Sequence, residues 1–213
     1  LHRTSSLPPT ITSAAPTTLA AFQYVTILGN DLPATSMSDV LFSQGGPEFA
    51  ADYAWATGPS MVIARVPTGV LANGPATVRL KNPSDTVTTN AFPVTISSTP
   101  GAPVLLTVYS GSGLPTTTLN VGQGFMVEAD GTGSAGTTFY WTQGATTISQ
   151  SALSTTGGPT GRVGTMGTVP PGVTPGLWTL TVTSYVSAPS NAVVISVPSC
   201  SILVPCFHPV CFP

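Results

Sequence analysis

The residues that could do chemistry are few and badly placed for it. The two histidines, His2 and His208, stand near the two ends of the chain. A Ser-His-Asp relay would need one of them folded back beside a carboxyl group. No G-x-S-x-G turn is present to expose a nucleophilic serine. Asp31 with Asp39, or Glu128 with Asp130, could pair as the carboxylates of a glycoside hydrolase. Glu128 and Asp130 alternate on a strand-like run and share a face. The plainer reading makes them polar edge positions beside a turn at Gly131. Gly111-Ser112-Gly113 lacks the lysine and helix of a phosphate-binding loop. Asp31, Asp39, Asp52 and Asp85 form no calcium-loop pattern of closely spaced carboxylates. No catalytic residue, no cofactor and no metal site is therefore expected, and the enzyme reading ranks last.

The three cysteines, Cys200, Cys206 and Cys211, all fall in the last stretch of the chain. No disulfide can cross a core, so the fold must rest on packing and backbone pairing. An odd count leaves at least one thiol unpaired within a monomer. The alternatives are a tail disulfide with the third thiol reaching another chain, free thiols, or a metal site that adds His208. The spacing matches no common zinc pattern.

Charge excludes more. Of 213 residues, five are Lys or Arg and seven are Asp or Glu, which is 6% of the chain. An ordinary soluble domain carries roughly 25%. Five scattered cations cannot neutralise a phosphate backbone, so nucleic acid is not expected as a partner. With 41% hydrophobic residues, charge-driven disorder is equally unfavoured. One Lys and two Glu cannot make a helical bundle or coiled coil. No apolar run is long enough to predict a membrane-spanning helix. The chain opens on Leu1-His2-Arg3 with no Met and no charged-then-apolar leader, which reads as a mature or trimmed chain whose signal peptide, if any, is gone.

The elements that must position any site read as strands. Short runs rich in Thr, Val and aromatics recur between Gly, Pro, Asn and Ser turns, as in Tyr24–Leu28, Met61–Arg65, Thr77–Leu80, Phe125–Glu128, Thr138–Trp141, Trp178–Val182 and Ala192–Val197. The segment from Glu48 to Ala56 is the best candidate for a helix. One sandwich takes roughly 100 residues, so the chain divides into an extended N-terminal tail (1–8), a first sandwich (9–98), a linker (99–102), a second sandwich (103–198) and a Cys- and Pro-rich hydrophobic tail (199–213). The halves repeat one another. Val66-Pro67-Thr68-Gly69, Thr77-Val78 and Asn90-Ala91 in the first correspond in order to Val169-Pro170-Pro171-Gly172, Thr179-Leu180 and Asn191-Ala192 in the second. The fold class is all-β: two tandem immunoglobulin-like β-sandwiches with extended terminal tails.

Residues 9–96 resemble an IPT/TIG domain, an immunoglobulin-like module. The resemblance rests on Pro9-Thr10-Ile11, Val25-Thr26-Ile27-Leu28-Gly29-Asn30-Asp31-Leu32, Val66-Pro67, Gly74-Pro75-Ala76-Thr77-Val78 and Phe92-Pro93-Val94-Thr95-Ile96. Residues 103–198 resemble the immunoglobulin-like class more loosely. The resemblance implies an extracellular or cell-surface module for binding and assembly, and it brings no catalytic residues.

Two surfaces remain as functional candidates. Tyr140, Trp141 and Trp178 are either core aromatics or rings that stack on glycans, with Tyr53, Trp55, Tyr109 and Tyr185 as further rings. The tails are apolar at Leu7 and at Ile202, Leu203, Val204, Phe207, Val210 and Phe212, and 199–213 carries no formal charge. Such tails dock either on their own sheet or on the next subunit, and contacts that do not close give a filament. The sequence thus predicts an extracellular, pilus-like structural subunit whose partners are copies of itself. The alternative is an adhesin or a carbohydrate-binding module of a larger secreted protein, with glycans as partners. Runs such as Thr116-Thr117-Thr118 are candidates for O-glycosylation.

Overall fold

The computed structural model describes residues 8–33, 39–81, 87–133, 136–184, 187–201 and 210–211. It divides into two units, Leu1–Gly101 and Ala102–Pro213. The first contains β1 (Thr10–Ala15), β2 (Thr18–Leu19), β3 (Tyr24–Asn30), β4 (Val40–Ser43), β5 (Glu48–Ala50), β6 (Tyr53–Gly58), β7 (Met61–Arg65), β8 (Gly74–Leu80) and β9 (Phe92–Ile96). The second contains β10 (Val104–Ser110), β11 (Gly124–Asp130), β12 (Thr137–Gln143), β13 (Thr146–Ser151), β14 (Ser154–Gly157), β15 (Val163–Thr168), β16 (Gly176–Ser184) and β17 (Val193–Val197), followed by the short β18 (Cys200–Ser201) and β19 (Val210–Cys211). No helix occurs among the described strands and loops of the Glu48–Ala56 segment. The predicted helix is replaced by β5 and β6, because Ala54 and Ala56 alternate inward against the core while Tyr53 and Trp55 point the other way.

Both units are immunoglobulin-like sandwiches in their strand order. The first pairs β1-β3-β7-β6 in one sheet and β2-β9-β8-β4-β5 in the other. The second pairs β10-β11-β15-β14 and β13-β12-β16-β17. Labelled A to G, each is an A-B-E-D sheet facing a C′-C-F-G sheet. The first core gathers Val25, Ile27, Val62 and Ala64 from one sheet and Val40, Phe42, Val78, Leu80, Val94 and Ile96 from the other. The second is built on Phe125, whose ring meets Phe139 at 5.0 Å and Trp141 at 5.5 Å, both edge-on. Apolar residues of B and F, Val127 and Leu180, lie in this core.

The duplication extends to single hydrogen bonds. On the first strand of each unit the register slips, between Ile11 and Ser13 and between Leu105 and Thr107. The bulge skips Thr12 and Leu106, and Ile11 and Leu105 just before it stand on edge strands whose outer side has no strand partner among the described residues. Asn90 Oδ1 accepts the Ile11 N–H at 2.7 Å and Asn90 Nδ2 donates to the Ile11 carbonyl at 3.2 Å. Asn191 does the same for Leu105, at 2.7 and 2.9 Å. The residue before each asparagine bonds the F strand: Thr89 Oγ1 accepts the Leu80 N–H and Ser190 Oγ accepts the Val182 N–H, both at 3.0 Å. Gln23 Oε1 accepts the Ala20 N–H at 3.0 Å, and Gln123 Oε1 accepts the Asn120 N–H at 2.8 Å. One residue earlier the turn is left-handed, at Gly122 with φ 77° and at Phe22 with φ 67°. Glycine adopts this freely, whereas phenylalanine does so under strain.

The copies differ at one edge. Thr95 N–H donates to the Thr17 carbonyl, and its counterpart Ser196 N–H donates to the Thr117 carbonyl. Two residues earlier on the same side stand Pro93 and Val194. Proline blunts an edge because it has no N–H. No described residue pairs with the outer side of β17 at Val194. Val194 is 56% exposed.

Replacing Asn191 by Ala would leave the Leu105 N–H and carbonyl buried without partners. Each such group costs about 1–3 kcal/mol, so Asn191→Ala is expected to lower the stability of the second unit by about 3 kcal/mol. Asn191→Asp keeps the acceptor and should cost less. Urea unfolding of the three proteins measures both effects.

Candidate functional site

The outer face of the first unit's A-B-E-D sheet carries an aromatic group. Tyr24, Arg65 and Tyr53 are aligned across β3, β7 and β6, and Thr26, Ile63 and Trp55 form the next row. Because Val25, Val62 and Ala64 face the core, these two rows face away from it. The Tyr24 and Trp55 rings meet edge-on at 5.6 Å, and Tyr53 lies 5.4 Å from Trp55. Tyr53 is 48% exposed, Trp55 is half-buried, and Tyr24, Thr26 and Ile63 are buried. Arg65 pairs with Asp52 across 3.9 Å at the margin of the group. Burial raises the Tyr24 phenol above its ordinary value, while the adjacent Arg65 acts against this. The result is a platform of fixed rings bordered by a paired cation and carboxyl group.

The equivalent face of the second unit is closed. There Glu128 and Asp130 project from β11, an internal strand rather than the edge that the sequence suggested. The loop that contains Gly158 to Arg162 covers both. Glu128 is buried and accepts hydrogen bonds from the Tyr109 hydroxyl (2.8 Å), the Thr160 N–H (2.8 Å) and the Thr160 hydroxyl (2.9 Å). A Cβ at Gly158 would come within 2.3 Å of Glu128 Oε1, so only glycine allows the loop this close. Asp130 receives two bonds from Arg162 Nη1, at 2.8 and 2.7 Å. These carboxyl groups hold a loop down; their oxygens are taken by donors.

Other ionic groups are engaged in the same way. Arg79 pairs with Glu48 through two contacts, one of them Nη2 to Oε2 at 2.7 Å. The hydrogen bond from Arg79 holds the Glu48 carboxyl below the usual range. Asp31, Asp39 and Asp52 are not brought together, and among the described residues no group of three or more His, Cys, Asp or Glu could hold a metal ion. Asp85, His2, His208 and Tyr185 lie outside the described residues. A cleft of about 550 Å³ lined by Pro8, Thr10, Gly29–Asp31, Pro59 and Ser60 has, among the described residues, Asp31 as its ionisable side chain.

Of the aromatic candidates, Trp141 and Trp178 are core residues, and the Trp178 indole donates to the Thr174 carbonyl at 2.7 Å. Tyr140 lies on the opposite face of β12 and is partly exposed. Cys200, Cys211 and Val210 stand in the β18–β19 ladder. Leu7, Ile202, Leu203, Val204, Cys206, Phe207 and Phe212 lie outside the described residues. The residue set that sequence reasoning underused is Tyr24, Tyr53 and Trp55. Its signal was the alternation Tyr53-Ala54-Trp55-Ala56, large out and small in, which a helical reading of the segment conceals.

Tyr109, on the closed face of the second unit, gives that unit a pH signature. Burial, and then its bond to Glu128, raise its phenol above the ordinary value of 10.0. The folded chain therefore keeps a proton that the unfolded chain loses. This contribution to stability is complete below about pH 10 and disappears as pH rises through the raised value. Tyr109→Phe is expected to flatten the alkaline loss of stability relative to the parent chain, measured by urea unfolding at a series of pH values from about 9 to 11.

No protein-family model matches the chain, and no curated protein matches it in sequence. Solved structures do resemble it. The surface glycan-binding protein SGBP-B of the Bacteroides ovatus mixed-linkage glucan utilization locus, solved with a mixed-linkage heptasaccharide, is 15% identical over 84% of this chain, with a TM-score of 0.40. The chain spans 42% of that protein's length. The titin Ig tandem A164-A165 is 13% identical over 89% of this chain and 95% of its own, with a TM-score of 0.28. The N-terminal eight Ig domains of the Down Syndrome Cell Adhesion Molecule are 11% identical over 90% of this chain and 24% of their own, with a TM-score of 0.26. All three TM-scores lie below 0.5, and the immunoglobulin-like class of the two units is read from their own strand order.

Proposed function

We propose that this chain is a non-enzymatic binding module, an adhesin or carbohydrate-binding part of a larger secreted or cell-surface protein, and that its first unit is of the IPT/TIG type. The observation that carries this reading is the outward group of Tyr24, Tyr53 and Trp55. Aromatic rings held rigidly by a sheet lose little freedom when a sugar's C–H face stacks on them. The Arg65–Asp52 pair beside them supplies donors and acceptors for hydroxyl groups. The ligand class is a neutral glycan. Arg65, Arg79 and Arg162 are each paired with an acid, and a net charge of -2 offers no attraction for an acidic polymer. No helix among the described residues is long and apolar enough to cross a membrane.

Retention of the chain in gels containing neutral polysaccharides tests the reading. Trp55→Ala and Tyr53→Ala should each weaken binding by about tenfold, the equivalent of about 1.4 kcal/mol for a ring contact. Leu153→Ser, in the second unit, should change nothing. Unaltered retention of both ring variants would contradict the assignment.

One observation favours a second reading, self-assembly into a pilus-like filament. The outer side of β17 at Val194 is unguarded, and a groove of about 330 Å³ lined by Leu106, Val108, Pro115, Thr117 and Val193 lies beside it. An extended segment of another copy could add there as a strand. Val194→Pro imports the residue that the first unit has at this position. It is expected to leave stability nearly unchanged and to abolish any polymer seen by negative-stain microscopy; polymers that persist would remove the edge from the account.

A further inference from the structure

The cysteine arithmetic leaves three pairings open: Cys200 with Cys206, Cys206 with Cys211, and Cys200 with Cys211. The backbone chooses among them. In the antiparallel ladder of β18 and β19, Cys200 stands directly opposite Cys211, and Ser201 opposite Val210. Residues directly opposite in such a ladder have Cα atoms about 5.5 Å apart when they exchange hydrogen bonds and about 4.5 Å apart when they do not. A disulfide needs a Cα separation of about 4.4–6.8 Å and Cβ atoms about 3.5–4.5 Å apart; both Cα spacings fall in range, and the non-hydrogen-bonded pair is the one that brings the Cβ atoms close enough. We propose that Cys200 and Cys211 form an intrachain disulfide, which leaves Cys206 as the odd thiol and the one available for a bond to a second chain.

A second argument comes from the size of the ladder. Two residue pairs do not hold a hairpin together in water. The cysteines occupy one of the two pairs, so a covalent bond there supplies what the short ladder lacks. It also ties Cys211 back to a point three residues beyond β17, the last strand of the second sandwich. The chemistry is ordinary thiol–disulfide exchange. One thiolate attacks a disulfide oxidant such as oxidised glutathione, the second displaces the mixed disulfide, two protons leave, and the oxidant is reduced to two thiols. This proposal is independent of the glycan reading.

The full chain is suited to a direct test, because Leu203 and Phe207 separate the three cysteines. The protein is equilibrated in an oxidising glutathione buffer, quenched in acid, alkylated and cut with chymotrypsin, which puts each cysteine on its own peptide. The expected result is one linked species joining the Cys200 and Cys211 peptides, with the alkyl group on Cys206 alone. Cys206→Ser should then take up no alkyl group and weigh two hydrogens less than its reduced form. A linked species that contains the Cys206 peptide within one chain, or alkylation of Cys200 and Cys211, would overturn the pairing. So would protection of all three thiols by zinc chloride added to the reduced chain, which would assign the tail to a metal instead.

Discussion

A sandwich of this kind closes only if the backbone polar groups on the outer side of its first strand find partners. Among the described residues, β1 and β10 each pair with one strand only, and beside the bulge the N–H and carbonyl of Ile11 and Leu105 bond to a side chain instead. A primary amide is the one side-chain group that returns both an acceptor and a donor in the geometry of a peptide. Asparagine delivers it from the loop that leads into the last strand, so the first and last strands are fixed by a single residue in each unit. The threonine or serine before it accepts a backbone N–H of the F strand by the same logic. Core packing on both sides of this clamp then follows from ordinary strand alternation.

With the frame settled in this way, the two copies spend their outer faces differently. The second unit lays a loop over its A-B-E-D sheet and ties it with Glu128 and Asp130. The first unit presents rings on the corresponding sheet. The scarcity of charge acquires a physical meaning here. Arg65, Arg79 and Arg162 are each paired with a carboxyl group, so little formal charge remains to steer a ligand. Recognition on such a surface has to come from shape, rings and hydroxyl-bonding groups.

Much of the architecture was legible in the sequence, because turn residues and β-branched runs mark strands locally. The repeat was legible too, since Asn90 and Asn191 recur in the same place, although nothing in the sequence said that their amides would hold the outer side of the first strand. Two features were hidden. The segment Glu48–Ala56 read as the best candidate for a helix, and only pairing with β7 decides it as a strand. Glu128 and Asp130 read as polar edge positions beside a glycine turn, and only the distant loop at Gly158–Arg162 buries them. Both misreadings concern contacts made far along the chain, which short-range pattern cannot report. The aromatic face was obscured by the first of them.

The three tryptophans of the chain separate the competing accounts in one spectrum. Trp141 and Trp178 are enclosed in the second core, whereas Trp55 stands on the ring platform of the first unit. Each indole N–H gives its own signal in a ¹H–¹⁵N correlation map. Titration with a neutral oligosaccharide that the module retains is predicted to shift the Trp55 signal and leave the other two in place. A titration in which binding occurs and the Trp55 signal stays fixed would contradict the assignment of this face.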